Sequence, residues 1–149
     1  MTLQEPGVYA IAHVIQLAVA PVFLLSGVGA MLSVLTNRLG RIIDRARTLE
    51  DMHPEATPER RLQLETDLGA LARRAGLINR AISLCTTSAL LVCAVIGVLF
   101  VGAFLKTDLS ALVGLMFIIA MLALVGALVS FLREIHIAIR SMRIGVGRT

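Results

Sequence analysis

AISLCTTSALLVCAVIGVLFVGAFLKTDLSALVGLMFIIAMLALVGALVSFL, residues 81 to 132, contains two apolar runs separated only by Lys106, Thr107 and Asp108. The runs, Ala81 to Leu105 and Leu109 to Leu132, contain no Asp, Glu, Lys or Arg. Each is long enough to cross a hydrocarbon core of about 30 Å, which takes about 20 helical residues. Lipid offers the backbone no hydrogen-bond partner, so each run must satisfy its own amides as a helix. Three residues between them allow only a tight turn, and the two spans form an antiparallel hairpin. Toward the amino terminus, Val8 to Thr36 is a third uncharged run of the same kind.

The composition agrees with a lipid solvent. Hydrophobic residues make up 57% of the 149-residue chain and charged residues 16%, a balance that a water-facing surface does not tolerate. The formal charge of +4 comes from basic residues interleaved with acids or placed beside apolar runs. That placement fits the inner face of a membrane better than a DNA groove, and no nucleic-acid partner is expected. Cys85 and Cys93 are eight residues apart in one run, roughly 12 Å along a helix axis. They cannot bond to each other within one chain and read as small apolar side chains. The opening MTLQEPG carries Glu5 and no Lys or Arg, so it lacks the basic start of a cleavable signal. The first span is expected to remain.

Orientation follows from the basic residues flanking the spans. Residues 37–80 hold nine Arg, the end of the chain holds Arg133, Arg140, Arg143 and Arg148, and the opposite side holds only Lys106. The amino terminus is therefore expected outside, with the central segment and carboxyl end in the cytoplasm. The expected organisation is all-α: an outer amino terminus and first transmembrane helix (1–36), a cytoplasmic hairpin (37–80), the second and third transmembrane helices (81–132), and a basic cytoplasmic tail (133–149).

The central segment has its own pattern. Leu35, Leu39, Ile42, Ala46 and Leu49 alternate steps of four and three, as do Leu64, Leu68, Leu71, Ala75, Ile78 and Ile82. This is the seam of a coiled coil. Between the arms, Pro54 and Pro58 exclude helix continuation, and Thr57 is placed to cap a helix whose first residue is Pro58. The spacing predicts an antiparallel coiled-coil hairpin that brings Arg38 level with Arg73. The first helix would run from about Val8 to Met52, roughly 70 Å, and the hairpin would project about 25 Å from the membrane.

Enzyme signatures are absent: there is no HExxH, Gly-x-Ser-x-Gly, phosphate loop or CxxC pair. His13, His53 and His136 are too scattered for one metal site, and Glu134 and His136 point to different sides of a helix. The reading is non-enzymatic, with neither cofactor nor metal. Pro21 removes a backbone donor inside the first span and reads as a kink or hinge. The small polar residues of the second span, Ser83, Cys85, Thr86, Thr87 and Ser88, suit close helix packing. The third span, with Ser110, Ser130, Gly114 and Gly126, reads as the lipid-facing helix.

One stripe of the first helix, read at steps of three and four, is His13, Gln16, Ala20, Phe23, Gly27, Ala30, Val34, Asn37, Arg41 and Asp44. It is polar at the outer end, small or apolar centrally and charged at the cytoplasmic end. As a pore lining, its Phe23 and Val34 would form constrictions and its Asn37, Arg41 and Asp44 rings would filter ions. As a packing face, its Gly27 and Ala30 would serve helix contact alone. Arg38 and Arg45, with Arg133, Arg140 and Arg143, are candidates for lipid headgroup contact.

The stretch from His13 to Arg47, with Gln16, Pro21, Asn37-Arg38 and Arg41 to Asp44-Arg45, resembles the opening of a bacterial membrane protein family known as domain of unknown function 2721. The three-span layout agrees along nearly the whole chain. The resemblance implies a bacterial inner-membrane setting and no substrate or reaction. Two functions follow from the residues: an ion channel or pore in a homo-oligomer lined by the first helix, and a non-transporting scaffold or regulatory subunit whose hairpin binds a cytoplasmic partner.

Overall fold

A computed structural model describes residues 6–54, 57–105 and 107–145, all built on three helices. They are α1 (Pro6–Met52), α2 (Pro58–Leu105) and α3 (Ser110–Gly145). Each is long and apolar enough to cross a membrane. The chain is therefore all-α, and α1 passes without interruption through Pro21 to Met52. α3 continues beyond Leu132, so residues 133–145 of the basic tail are helical.

Local chemistry sets the helix ends. α1 and α2 both begin with proline, whose missing N–H is no loss in a first turn. After α1 the His53 amide donates to the Glu50 carbonyl at 3.1 Å, and the Arg61 guanidinium donates to the Pro54 carbonyl at 3.0 Å. The Arg61 amide donates to the Thr57 carbonyl at 2.9 Å, which puts Thr57 at the cap position expected from sequence. Before α3, Asp108 Oδ1 accepts the Ser110 amide at 3.0 Å. Bonds from the Ser110 side chain and backbone hold the Asp108 carboxyl below its ordinary value.

Burial recurs along α1 every seven residues. Val14, Pro21, Val28, Leu35, Ile42 and Leu49 are all buried. On α2, Leu64, Ile78, Cys85 and Val92 are buried and Leu71 half-buried at the same interval. On α3 the repeat runs through half-buried Val113 and buried Ala120, Ala127 and Glu134. A strict repeat of seven keeps one face inward only if the helix is wound slightly away from 3.6 residues per turn. Packing periodicity thus extends well past the two arms in which the sequence showed it. The expected seam positions Leu39, Ala46, Leu68, Ala75 and Ile82 are half-buried beside it.

The chain divides into two compact units. One comprises Met1–Met31 and Cys85–Val125. There the Ser88 hydroxyl, fully buried, donates to the Ala120 carbonyl at 2.8 Å and ties α2 to α3. The surface is strongly apolar, with Phe23 73% and Phe104 75% exposed, as lipid contact requires. The other unit comprises Leu32–Leu84 and Gly126–Thr149. Its α2 and α3 pack through small groups: a methyl on Gly126 would meet Leu84 Cδ1 at 3.3 Å. Within the apolar windows α2 is the most buried helix, while α1 and α3 are equally open, so lipid-facing character is shared between them.

Leu35 and Ile78 are fully buried, whereas Leu62 on the same α2 arm is 68% exposed. Truncating either of the first two to Ala should cost about 2–5 kcal/mol through lost contacts and a cavity. Leu62→Ala should stay within about 0.5 kcal/mol. Thermal unfolding in detergent, followed with the protease resistance of residues 40–80, checks this. Equal stability of Leu35→Ala and Leu62→Ala would contradict the packing described.

Candidate functional site

The second unit is organised around one carboxylate. Glu134 lies on the seven-residue repeat of α3 and its side chain is 0% exposed. A charge removed from water costs several kcal/mol unless other groups replace the lost hydration. Arg38 of α1 supplies one replacement, its Nη2 donating to Oε2 at 2.7 Å. Arg74 of α2 supplies the second, with Nε and Nη2 donating to Oε1 at 3.1 and 3.0 Å. Both carboxylate oxygens are thereby held by charge-assisted bonds, and all three helices meet on one group.

The two arginines differ from the carboxylate in their access to water. Their side chains are 26% and 22% exposed, so each guanidinium bonds inward while part of it remains solvated. Arg38 also stacks over the Phe131 ring, its Cζ 5.4 Å from the centroid, which adds a cation–π contact one helical turn before Glu134. Among the described residues no buried side-chain nitrogen or oxygen lacks a partner. The arrangement fixes helix register, with two fixed positive charges beside a buried negative one.

Sequence reasoning placed Arg38 at lipid headgroups and weighed Glu134 only against His136. In the structure Arg38 bonds to Glu134, while His136 is exposed with its Nδ1 3.0 Å from the Leu132 carbonyl. The sequence reading brought Arg38 level with Arg73. It is Arg74, the next residue, that shares a partner with Arg38. A signal was present: Val113, Ala120, Ala127 and Glu134 are spaced by sevens, which puts the carboxylate on the packing face of α3.

The α1 stripe lies elsewhere. In the first unit His13, Gln16, Ala20, Phe23, Gly27 and Ala30 are all exposed, and in the second so are Val34, Asn37, Arg41 and Asp44. Packing within the chain uses the neighbouring line through Val14, Val28 and Ile42, so the stripe flanks the buried seam. Pro21 belongs to that buried line. Arg41 and Arg45, both exposed, line a cavity of about 300 Å³ in the second unit together with Arg38, Ile42, Leu71 and Arg74. Arg133 is exposed, whereas the side chains of Arg140 and Arg143 lie outside the described residues.

The first unit holds a further cavity of about 690 Å³. Its walls include Val14, Leu17, Val95 and Phe117, with His13, Asp108 and Ser110 supplying polar groups. Among the described residues no three His, Cys, Asp or Glu side chains gather as a metal site requires.

Residues 18–144 match the family described as Protein of unknown function (DUF2721). The chain belongs to this family. The matched region covers most of the chain and contains Arg38, Arg74 and Glu134, so the whole cluster lies within the family's shared segment. No curated protein and no solved structure matches the chain.

Removing a positive partner from a buried charge is more costly than removing the charge itself. Arg38→Leu with Arg74→Leu should therefore destabilise this member of the family by about 3 kcal/mol or more. Glu134→Leu should cost less, because both guanidinium groups reach solvent. Replacing all three by Met, Met and Leu should recover most of the loss. Thermal unfolding of the four proteins in one detergent checks the order, and equal melting of the double-Arg and Glu134 variants would contradict it.

Proposed function

We propose that the chain is a non-enzymatic, homo-oligomeric protein of the bacterial inner membrane in which α1 of each copy borders a conduction path for ions. The observation that carries this reading is the exposure of the whole first-unit stripe, His13, Gln16, Ala20, Phe23, Gly27 and Ala30, beside a seam that already completes the packing of α1. An imidazole and an amide facing hydrocarbon cost free energy, whereas water or a second copy of the chain satisfies both. Small residues at Gly27 and Ala30 let such copies approach, and among the described residues outside its own helical turn no atom lies within 4 Å of a methyl placed on Gly27. A wall with Phe23 and Val34 at its narrow points gates by dewetting, and the charged end at Arg41 and Asp44 selects among entering ions.

In this reading the amino terminus faces outward. Residues 37–80 form a cytoplasmic antiparallel coiled-coil hairpin, supported by burial of Leu35, Ile42, Leu49, Leu64 and Ile78. Labelling of single cysteines in Cys85→Ser/Cys93→Ser protein tests the orientation. A periplasmic, membrane-impermeant reagent should modify a cysteine introduced at Thr107 and spare one at Pro54. The reverse pattern would invert the assignment.

Ion flux into liposomes tests conduction. Wild-type protein should pass ions, and Phe23→Ala should raise the flux by removing a dry constriction. If neither protein conducts, the pore is excluded and the scaffold reading remains. That reading finds support in the exposed Ile43, Met52 and Leu62 of the two arms, which offer apolar area to a cytoplasmic partner.

A further inference from the structure

The geometry points to a phosphate-binding site in the cavity of about 300 Å³ lined by Arg38, Arg41, Arg45 and Arg74. Four arginines from two helices line one small space. Among the described residues the carboxylate bonded to any of them is Glu134, which is fully buried and already holds Arg38 and Arg74. Three positive charges remain in surplus. Two remain even if Asp67, which lines the adjoining cavity with Arg45 and Arg74, is counted against them. Among the described residues no Asp or Glu oxygen comes within ion-pairing distance of Arg41 or Arg45.

The disposition of donors identifies the ligand class. A guanidinium carries five N–H groups. Arg38 uses one of them on Glu134 through Nη2, and Arg74 uses two, through Nε and Nη2. The rest, with all those of Arg41 and Arg45, remain for an acceptor with several oxygens. A tetrahedral phosphate presents such oxygens in the spacing that planar guanidinium forks match. Glu134 serves as the fixed counter-charge that anchors two of the four side chains, so part of the entropy of ordering them is met before a ligand arrives. Ile42 and Leu71 close the apolar side of the cavity, which suits a phosphate carried either by a lipid headgroup or free in the cytoplasm.

This site does not rest on the conduction reading, because its test measures binding alone. Full-length protein in non-ionic detergent is titrated calorimetrically with sodium phosphate, and separately with short-chain phosphatidylglycerol against phosphatidylcholine. Wild-type protein should bind phosphate, phosphatidylglycerol or both, more weakly as sodium chloride is raised. Arg41→Gln with Arg45→Gln, which leaves the Glu134 bonds untouched, should weaken that binding by about tenfold or more. Arg73→Gln, the loss of one positive charge at an exposed position outside the cavity, should leave it unchanged. Binding of inorganic phosphate assigns a free ligand, and binding of phosphatidylglycerol alone assigns the headgroup. The proposal is overturned if neither binds, if the double variant binds as tightly as wild type, or if Arg73→Gln weakens binding equally.

Discussion

A carboxylate with no access to water must be met by the protein itself, and the Glu134 side chain is met by one arginine from each of the other two helices. The three helices of this unit have apolar faces that tolerate sliding, since one Leu or Val contact resembles the next. Bonds of 2.7 to 3.1 Å to named oxygens do not tolerate it. A shift of α1 or α2 by one residue would strand the charge at a cost of several kcal/mol. The interaction therefore specifies register more than it adds stability, the role in which buried polar groups are best attested.

Around that point the long apolar helices, compatible with a lipid surrounding, shape everything else. Helices that cannot rely on hydrophobic exclusion from water are held by close approach and by short polar bonds. Both devices occur here: Gly126 admits Leu84 on α2, and the Ser88 hydroxyl reaches the Ala120 carbonyl. The seven-residue repeat joins them into one packing rule along each helix. On α1 it passes through Val14, Pro21 and Val28 in the first unit and through Leu35, Ile42 and Leu49 in the second.

The repeat also decides what is left over. A helix that commits the positions of one heptad line to its own chain leaves the flanking lines free, and on α1 those lines carry His13, Gln16, Phe23 and Arg41. Polar and small residues on a free face of a membrane helix call for water, a lipid headgroup or another protein chain. The arginines follow the same logic. Arg38, Arg45 and Arg74 each stand three residues after a seam position, Leu35, Ile42 and Leu71, close enough to the interior to share a cavity and near enough to its edge to keep solvent. Charge thus collects at one place through helix geometry.

The sequence by itself determined the elements: uncharged runs of sufficient length dictate three helices, Pro58 after Thr57 dictates where the second begins, and the family resemblance at His13 to Arg47 is borne out over residues 18–144. These follow from local chemistry, in which backbone satisfaction and proline sterics need no distant partner. From Val14 to Val28 the tertiary structure alone decided which heptad line of α1 packs, because two candidate stripes there differ by a single residue of rotation and both contain small and apolar side chains. It alone brought Glu134 between Arg38 and Arg74, which lie 96 and 60 residues away from it in the chain. An acidic residue just beyond an apolar run reads locally as a solvated helix end, and only the meeting of three helices makes it a buried charge.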